Sequence, residues 1–440
     1  TRIFSRAEHR PPKEAPMPNT VFTNARILDG TGDSSFSGEV RIDGNRIQQI
    51  SSDGSQLSHD DADVIDCAGA TLMPGLVEAH AHASFGNTST LEALGEVPIE
   101  EHTLMTMKHV KLLLDQGFTS INSAAAAKAR LDVVIRNAIN AGDIPGPRML
   151  AASPELTPTS GLGDVNLRHM KRDSFAIVCD GPEEFRKVAR EMVREEVDTL
   201  KINPSGDEFV PFAKARHTVM NDSEVAAVCE VAQSRDLRVA THARSAEAVK
   251  MSLRHGCEII YHATLMDDEA LDLLEAAKDR IFVAPTIGIQ ITTLHEASDW
   301  GITTEVAESL GMRRELEIGA ESMKELHRRG VKVLPGGDYG FAWNPIGTNA
   351  RDLEHFVNYL NFTPMEAIVA ATKYGGQIMM MGDELGLIKE GYLADLLIVD
   401  GDPVQDVSIL QDSSRLLGIM KDGGFHKRPS DQLAVQRQAA

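Results

Sequence analysis

Apolar and polar positions alternate with two different periods along this chain, and the change of period divides it. From Val21 to about Leu72 the segments "TVFTNARILDGTG", "GEVRIDGNRIQQI" and "ADVIDCAGATLMPG" alternate with period two. They are broken by Asp-Gly and Gly-Asn pairs, which mark strands joined by tight hairpins. The far end repeats the style in "GYLADLLIVDGDP" and "RLLGIMKDGGFH". Two β-rich ends around a different middle predict a small β-sandwich made from residues 17–73 and 384–426.

In the middle, residues 74–383, apolar runs of strand length alternate with segments of helical spacing. Eight strands are predicted: Leu72–His80, Phe118–Ser123, Arg148–Ser153, Thr199–Asn203, Arg238–Ala243, Glu258–Ala263, Arg280–Ile287 and Val331–Asp338. Between them lie "GPEEFRKVAREMVREEV", "SEVAAVCEVAQSR" and "SAEAVKMSLRHG", with apolar residues three and four apart. Buried parallel strands, each followed by a helix, predict an α/β fold of the (β/α)8 TIM-barrel type. A doubly wound open sheet would place a Gly-rich phosphate loop after its first strand. That strand instead runs into "VEAHAHASFG".

Charge and composition narrow the partners. The formal net charge is −21, which repels phosphate backbones and argues against a nucleic-acid partner. Cys67, Cys179, Cys229 and Cys257 show no C-x-x-C spacing, so reduced thiols in a cytoplasmic protein are expected. No apolar run reaches the ~18 residues of a membrane span, so no membrane association is expected. Residues 1–16 are polar and Arg-containing and are read as a flexible arm; 427–440 are read as a tail.

Fifteen histidines occur, but only four stand at the C-terminal ends of predicted barrel strands: His80, His82, His242 and His262. Asp338 ends the last strand in the same way. In such a barrel these ends converge on one mouth. Residues two apart on a strand share a face, so His80 and His82 can reach one ion. Imidazole and carboxylate suit a borderline-soft divalent ion such as zinc.

"TLMPGLVEAHAH", "TLKIN", "VATHARS", "IIYHATLMDDEA", "VLPGGDYG" and "LGLIKEGYLADLLIVDGDP" together resemble the metal-dependent amidohydrolase superfamily. The likeness spans about Val21 to Phe425. It is nearest the imidazolonepropionase-like and prolidase-like branch, and is similar to bacterial phenylurea and thiocarbamate herbicide hydrolases. The resemblance implies a (β/α)8 barrel with a β-sandwich and, in relatives, often a homo-oligomer. It also implies roles. His80 and His82 match ligands of a first metal, and His242 and His262 those of a second. Lys201 matches a lysine that, once carboxylated, bridges the two. Asp338 matches a ligand that is also the general base. One or two divalent ions, zinc foremost, are expected.

Some positions depart from that pattern. Asn203 lies two residues after Lys201 on the same strand face and is an alternative ligand or substrate contact. An unmodified Lys201 is expected to pair with a carboxylate such as Asp207 or Glu208. Related peptidases carry a His in the strand 3 loop, where "SPELTPTSGLGD" has Leu162; Glu155 and Leu162 are therefore read as substrate contacts. Tyr261 precedes His262 and is read as packing. Arg244 shares the face of His242 and is read as a substrate contact or the partner of an acidic side chain. Tyr339, Phe341 and Trp343 follow Asp338 and predict an apolar, aromatic pocket. The expected reaction is hydrolysis of an amide, carbamate or urea C–N bond in a fairly hydrophobic small molecule. The alternative is an Xaa-Pro-type dipeptidase or a carboxypeptidase acting on N-acyl or peptidyl amino acids. A deaminase ranks lower because "THARS" lacks the helper Glu of that class.

Overall fold

The computed structural model describes residues 19–52 and 54–430. The expected arm at 1–16 and most of the expected tail lie outside the described residues. The first strands are β1 (Asn19–Ile27), β2 (Phe36–Asp43), β3 (Arg46–Ser51), β4 (Ala62–Asp66) and β5 (Thr71–Pro74). The middle carries β6 (Leu76–Ala81), β7 (Phe118–Ser123), β8 (Arg148–Leu150), β9 (Ala152–Thr157) and β10 (Ala176–Val178). It continues with β11 (Thr199–Ile202), β12 (Arg238–Ser245), β13 (Ile259–Leu265) and β14 (Phe282–Ala284). The last strands are β15 (Leu396–Val399), β16 (Leu416–Lys421) and β17 (Gly424–Lys427).

The two ends of the chain join in one eight-stranded sheet of order β17-β16-β15-β5-β1-β2-β3, with β4 on β1. The turn residues explain its hairpins. Asp422 and Gly423 both have positive φ (49° and 75°) between the paired Lys421 and Gly424, as a two-residue primed turn requires. Gly44 and Asn45 join Asp43 to its partner Arg46, with the positive φ (57°) at Gly44. Phe22, Ile27, Val40, Ile42 and Leu396 give this sheet a core of its own.

The middle is an α/β fold of parallel sheets. One sheet runs β6-β7-β8; the other runs β10-β9-β11-β12-β13-β14. Helices such as Gly181–Arg194, Asp222–Gln233 and Ala246–Arg254 separate the strands and bury Phe185, Val228 and Val249. β12 and β13 are buried along almost their whole length, as strands covered on both faces must be.

Four of the eight predicted strands are divided, shortened or lost. The first predicted strand, Leu72–His80, is two: β5 belongs to the terminal sheet and β6 to the parallel one. Gly75 between them passes Thr119 so closely that a Cβ would lie 2.2 Å from its Oγ1. The third divides into β8, which pairs with β7, and β9, which pairs with β11. The seventh shortens to β14, because Thr286 turns into a left-handed conformation and the helix Ile287–His295 begins. The eighth is no regular strand. Val333 makes a single parallel bridge to Val283, and beyond it Asp338 takes a left-handed backbone, φ 59°. No helix among the described residues is long and apolar enough to cross a membrane.

The terminal sheet is fastened to the parallel one by charge. Arg148 on β8 donates to Asp395 Oδ2 (2.6 Å) and to Asp422. Asp395 is buried, with 2% of its side chain exposed. Removing one partner of a buried pair strands the other charge, at a cost of about 3–5 kcal/mol. Arg148→Met should therefore lower the unfolding free energy by about 3 kcal/mol, read as a drop in the urea midpoint.

Candidate metal centre

His80 is the second-last residue of β6, and His82 follows just beyond the strand. Their Nε2 atoms are 3.0 Å apart. Asp338 Oδ1 faces both, at 3.4 Å from His80 Nε2 and 3.2 Å from His82 Nε2. One ligand atom from each residue lies within 4.8 Å of the other two. His82 Nδ1–H donates to the Ala125 carbonyl (3.2 Å), which leaves a lone pair on Nε2. Its ring stacks on Phe85, with centroids 3.7 Å apart. Burial pushes the His80 imidazole down to about 3, so it is neutral at pH 7. Burial works against the Asp338 carboxylate, but the His80 and His82 rings outweigh it and hold Asp338 well below the usual carboxylate range.

His242 and His262 complete the ring of imidazoles. Their centroids are 4.2 Å apart, and His262 lies 5.6 Å from His80. Burial, then the charge of Arg244, holds both well below the ordinary histidine range. His242 Nε2–H donates to the Gly206 carbonyl (3.0 Å), so its lone pair is on Nδ1. His262 Nδ1 lies 2.5 Å from Thr286 Oγ1. With the proton on Nδ1, Nε2 keeps a bare lone pair, and that buried atom has no hydrogen-bond partner. The neutral imidazoles of His80, His242 and His262, the His82 ring and one ionised carboxylate are a donor set that fits a divalent cation.

The backbone is strained where these groups stand. His262, Ala263, Thr286 and Asp338 all have positive φ, at 74°, 47°, 58° and 59°. None is glycine, and such positions cost about 1–3 kcal/mol each. Thr286 is β-branched, for which this region is least favourable.

Lys201 is buried on β11, and its Nζ is 3.3 Å from Glu155 Oε1. Asn203 Nδ2 donates to the other oxygen of Glu155 (2.5 Å), while Asn203 Oδ1 is buried without a partner. The carboxylate facing Lys201 is therefore Glu155, and the expected Asp207 and Glu208 are engaged elsewhere. Asp207 takes the Arg244 guanidinium at Nε (2.8 Å), and Glu315 takes its Nη1 (2.8 Å). Glu208 lies 3.8 Å from Lys214.

A cavity of about 470 Å³ covers this cluster, open solvent at its mouth included. Glu155, Leu162, Lys201, Arg244 and Phe341 line it alongside His80, His82, His242, His262 and Asp338. Asn203, Tyr339 and Trp343 are not among the lining residues. Tyr339 was expected at the substrate, but its hydroxyl donates to buried Asp352 (3.0 Å), behind the site. Trp343 Nε1–H donates to Thr293 Oγ1 (2.9 Å), and its ring stacks on Phe341. Tyr261 packs as expected: its ring meets His80 at 4.1 Å, and its hydroxyl donates to the Ala79 carbonyl.

Sequence reasoning passed over Phe85, Leu91, Phe175, Phe209 and Ile289, which supply apolar wall. It also passed over Glu78. This carboxyl accepts from Asn349 Nδ2 (2.8 Å) and from the His80 amide (3.1 Å). Burial and the nearby Asp352 push it up to about 8. The alternation Glu78-x-His80-x-His82, three polar groups on one face of a buried strand, was the signal for it. Glu315 had none, since it looks like any acidic residue on an amphipathic helix.

The model of the family described as "Amidohydrolase family" matches residues 71–425. The chain belongs to the amidohydrolase family. It is therefore a hydrolase of the class that acts on C–N bonds. It is similar to the ochratoxinase of Aspergillus niger, 24% identical over 383 residues, covering 81% of this chain and 76% of that one. A prolidase solved with N-methylphosphonate-L-proline superimposes with a TM-score of 0.84 at 26% identity, covering 93% of this chain and 100% of that one. A Xaa-Pro dipeptidase with bound methionine superimposes with a TM-score of 0.80 at 28% identity, with the same coverage.

Partners that orient a metal-binding histidine typically contribute 10–100-fold to metal affinity. Thr286→Val keeps the shape of the side chain and removes the hydroxyl. It should weaken metal retention about tenfold in a chelator competition, while Thr286→Ser restores it.

Proposed function

We propose that this chain hydrolyses a neutral, fairly hydrophobic amide, carbamate or urea at the His80–His82–Asp338 cluster. We read its two parallel sheets as the wall of one (β/α)8 barrel, residues 74–383, with the terminal sheet as its β-sandwich companion. His80, His82 and Asp338 would hold one divalent ion, with zinc the expected one. The bare nitrogens of His242 and His262 open a second position, which takes an ion when Lys201 is carboxylated. As a plain ammonium paired with Glu155, Lys201 repels a cation instead. A bound divalent ion supplies polarisation of the scissile carbonyl and a water pKa lowered from 15.7 toward ~7.

The chain's own residues do the rest. Asp338 is ionised, lines the cavity and accepts the proton of the attacking water. Once protonated it can return that proton to the leaving nitrogen. Phe85, Leu162, Phe175, Ile289 and Phe341 exclude bulk water and take up the apolar parts of the substrate.

The observation that carries the choice of a neutral substrate is charge balance. The cavity is lined by two cations, Lys201 and Arg244, and both already face buried carboxylates. Arg244 is shared between two, Asp207 and Glu315, so the trio is net negative. A substrate carboxylate therefore finds no uncompensated side-chain cation to receive it. The second reading, a dipeptidase or carboxypeptidase acting on N-acyl or peptidyl amino acids, draws on the likeness to the prolidase and the Xaa-Pro dipeptidase. It requires Arg244 to leave one of its carboxylates.

Purified without added metal, the protein should carry one or two divalent ions per chain, and Lys201→Ala should carry one. A chain with none overturns the metal assignment. Asp338→Asn should lower kcat by about 10²–10⁴-fold. In a metal-supplemented panel, neutral amides, carbamates and phenylureas should exceed matched N-acyl amino acids in kcat/KM by at least about tenfold, the value of one uncompensated 1.4 kcal/mol. The opposite order selects the peptidase reading.

A further inference from the structure

A second depression lies directly beside the catalytic cavity and shares a wall with it. Leu91, Phe209 and Phe341 line both. On the far side of this partition stand Ile302 and Trp343, together with Glu92. The space is about 570 Å³, open solvent included. A molecule that outgrows the first cavity toward the second space would meet these three side chains.

The chemistry of the second space is specific. Of the two tryptophans of the chain, Trp343 lines it and Trp300 packs beside Trp343. Trp343 is nearly buried; Trp300, 43% exposed, lies 6.3 Å from it. Phe209 is 6.0 Å and Phe341 5.7 Å from Trp343, within the range in which aromatic rings attract one another. The indole N–H is already donated to Thr293, so Trp343 has ring surface to offer and no hydrogen bond. The charged side chain lining the space is Glu92, an acid, and the chain as a whole is at −21. Both disfavour an anionic guest.

We infer that this depression is an aryl subsite: it takes a neutral aromatic group of the substrate distal to the scissile C–N bond, and Phe209, Leu91 and Phe341 form the gate between the two spaces. The inference rests on the hydrolase reading above for the position of the scissile bond, but not for the presence of the subsite. Phe209 and Trp343 are then specificity-determining residues, with no part in the reaction itself.

Binding is testable without turnover, because Trp343 lines this space and Trp300 stands next to Trp343. The metal-loaded full chain is titrated with 4-phenylbutan-2-one, a neutral aryl ketone with no C–N bond to cleave. 4-Cyclohexylbutan-2-one and 3-phenylpropionate serve as the non-aromatic and anionic controls. The aryl ketone should change the tryptophan fluorescence saturably, and both controls should bind about fivefold to tenfold more weakly. Trp300→Phe should keep the signal, because Trp343 remains. Phe209→Leu, which stays apolar at a half-buried position, should weaken the aryl ketone by a similar factor with metal content unchanged.

Equal binding of the phenyl and cyclohexyl ketones overturns the subsite. So does a signal lost in Trp300→Phe, or an affinity unmoved by Phe209→Leu. If amides turn over but the aryl ketone gives no fluorescence change, the subsite fails and the hydrolase reading stands. If the ketone binds as described and no amide is ever cleaved, the hydrolase reading fails and the subsite stands.

Discussion

Gly336 lies hard against His80: a Cβ there would meet the His80 amide nitrogen at 2.8 Å and its Cβ at 2.7 Å. That close approach lets the segment after Val333 bring Asp338 to the end of β6. Asp338 then adopts a left-handed backbone, φ 59°, which aims its carboxylate at His80 and His82. The remaining parts of the site are arranged around this contact. His262 and Thr286 hold the facing side in the same unfavourable conformation. Strain of about 1–3 kcal/mol per residue persists at this spot because the surrounding sheets leave no alternative.

Around that contact the protein balances buried charge by pairs. Lys201 faces Glu155, Arg244 spans Asp207 and Glu315, and Arg148 spans Asp395 and Asp422. Pairing of this kind adds little net stability, since desolvation offsets most of the attraction. Its effect here is on chemistry. It removes free cations from the cavity and leaves the Asp338 carboxylate and the bare imidazole nitrogens as the groups available to a metal and a substrate. Glu78 and Asp132 differ: neither forms an ion pair among the described residues, and burial pushes their carboxyls up to about 8 and about 6.

Much of the site was legible in the sequence because strands impose simple rules. His80 and His82 could be paired by a spacing of two, and His242, His262 and Asp338 by their places at strand ends. Three contacts were not legible. Tyr339 faces Asp352 and not the cavity, because this stretch is no regular strand and the left-handed Asp338 before it breaks the alternation. Lys201 faces Glu155 across the β9–β11 ladder, in register with it, whereas its sequence neighbours suggested Asp207 or Glu208. Trp343 sits behind Phe341 because its N–H bonds to Thr293, fifty residues away in sequence.

The sequence by itself pointed to strands at both ends, to alternating strands and helices between them and to side chains chemically able to bind a metal, since these follow from local period and side-chain chemistry. Tertiary structure decided which nitrogen of each histidine is bare, which carboxylate neutralises which cation and where the aromatic walls stand. Those outcomes depend on groups brought together from distant parts of the chain: Ala125 against His82, Thr286 against His262, Glu315 against Arg244. No local pattern encodes such meetings, because each is set by how the sheets and helices pack and not by the segment that carries the residue.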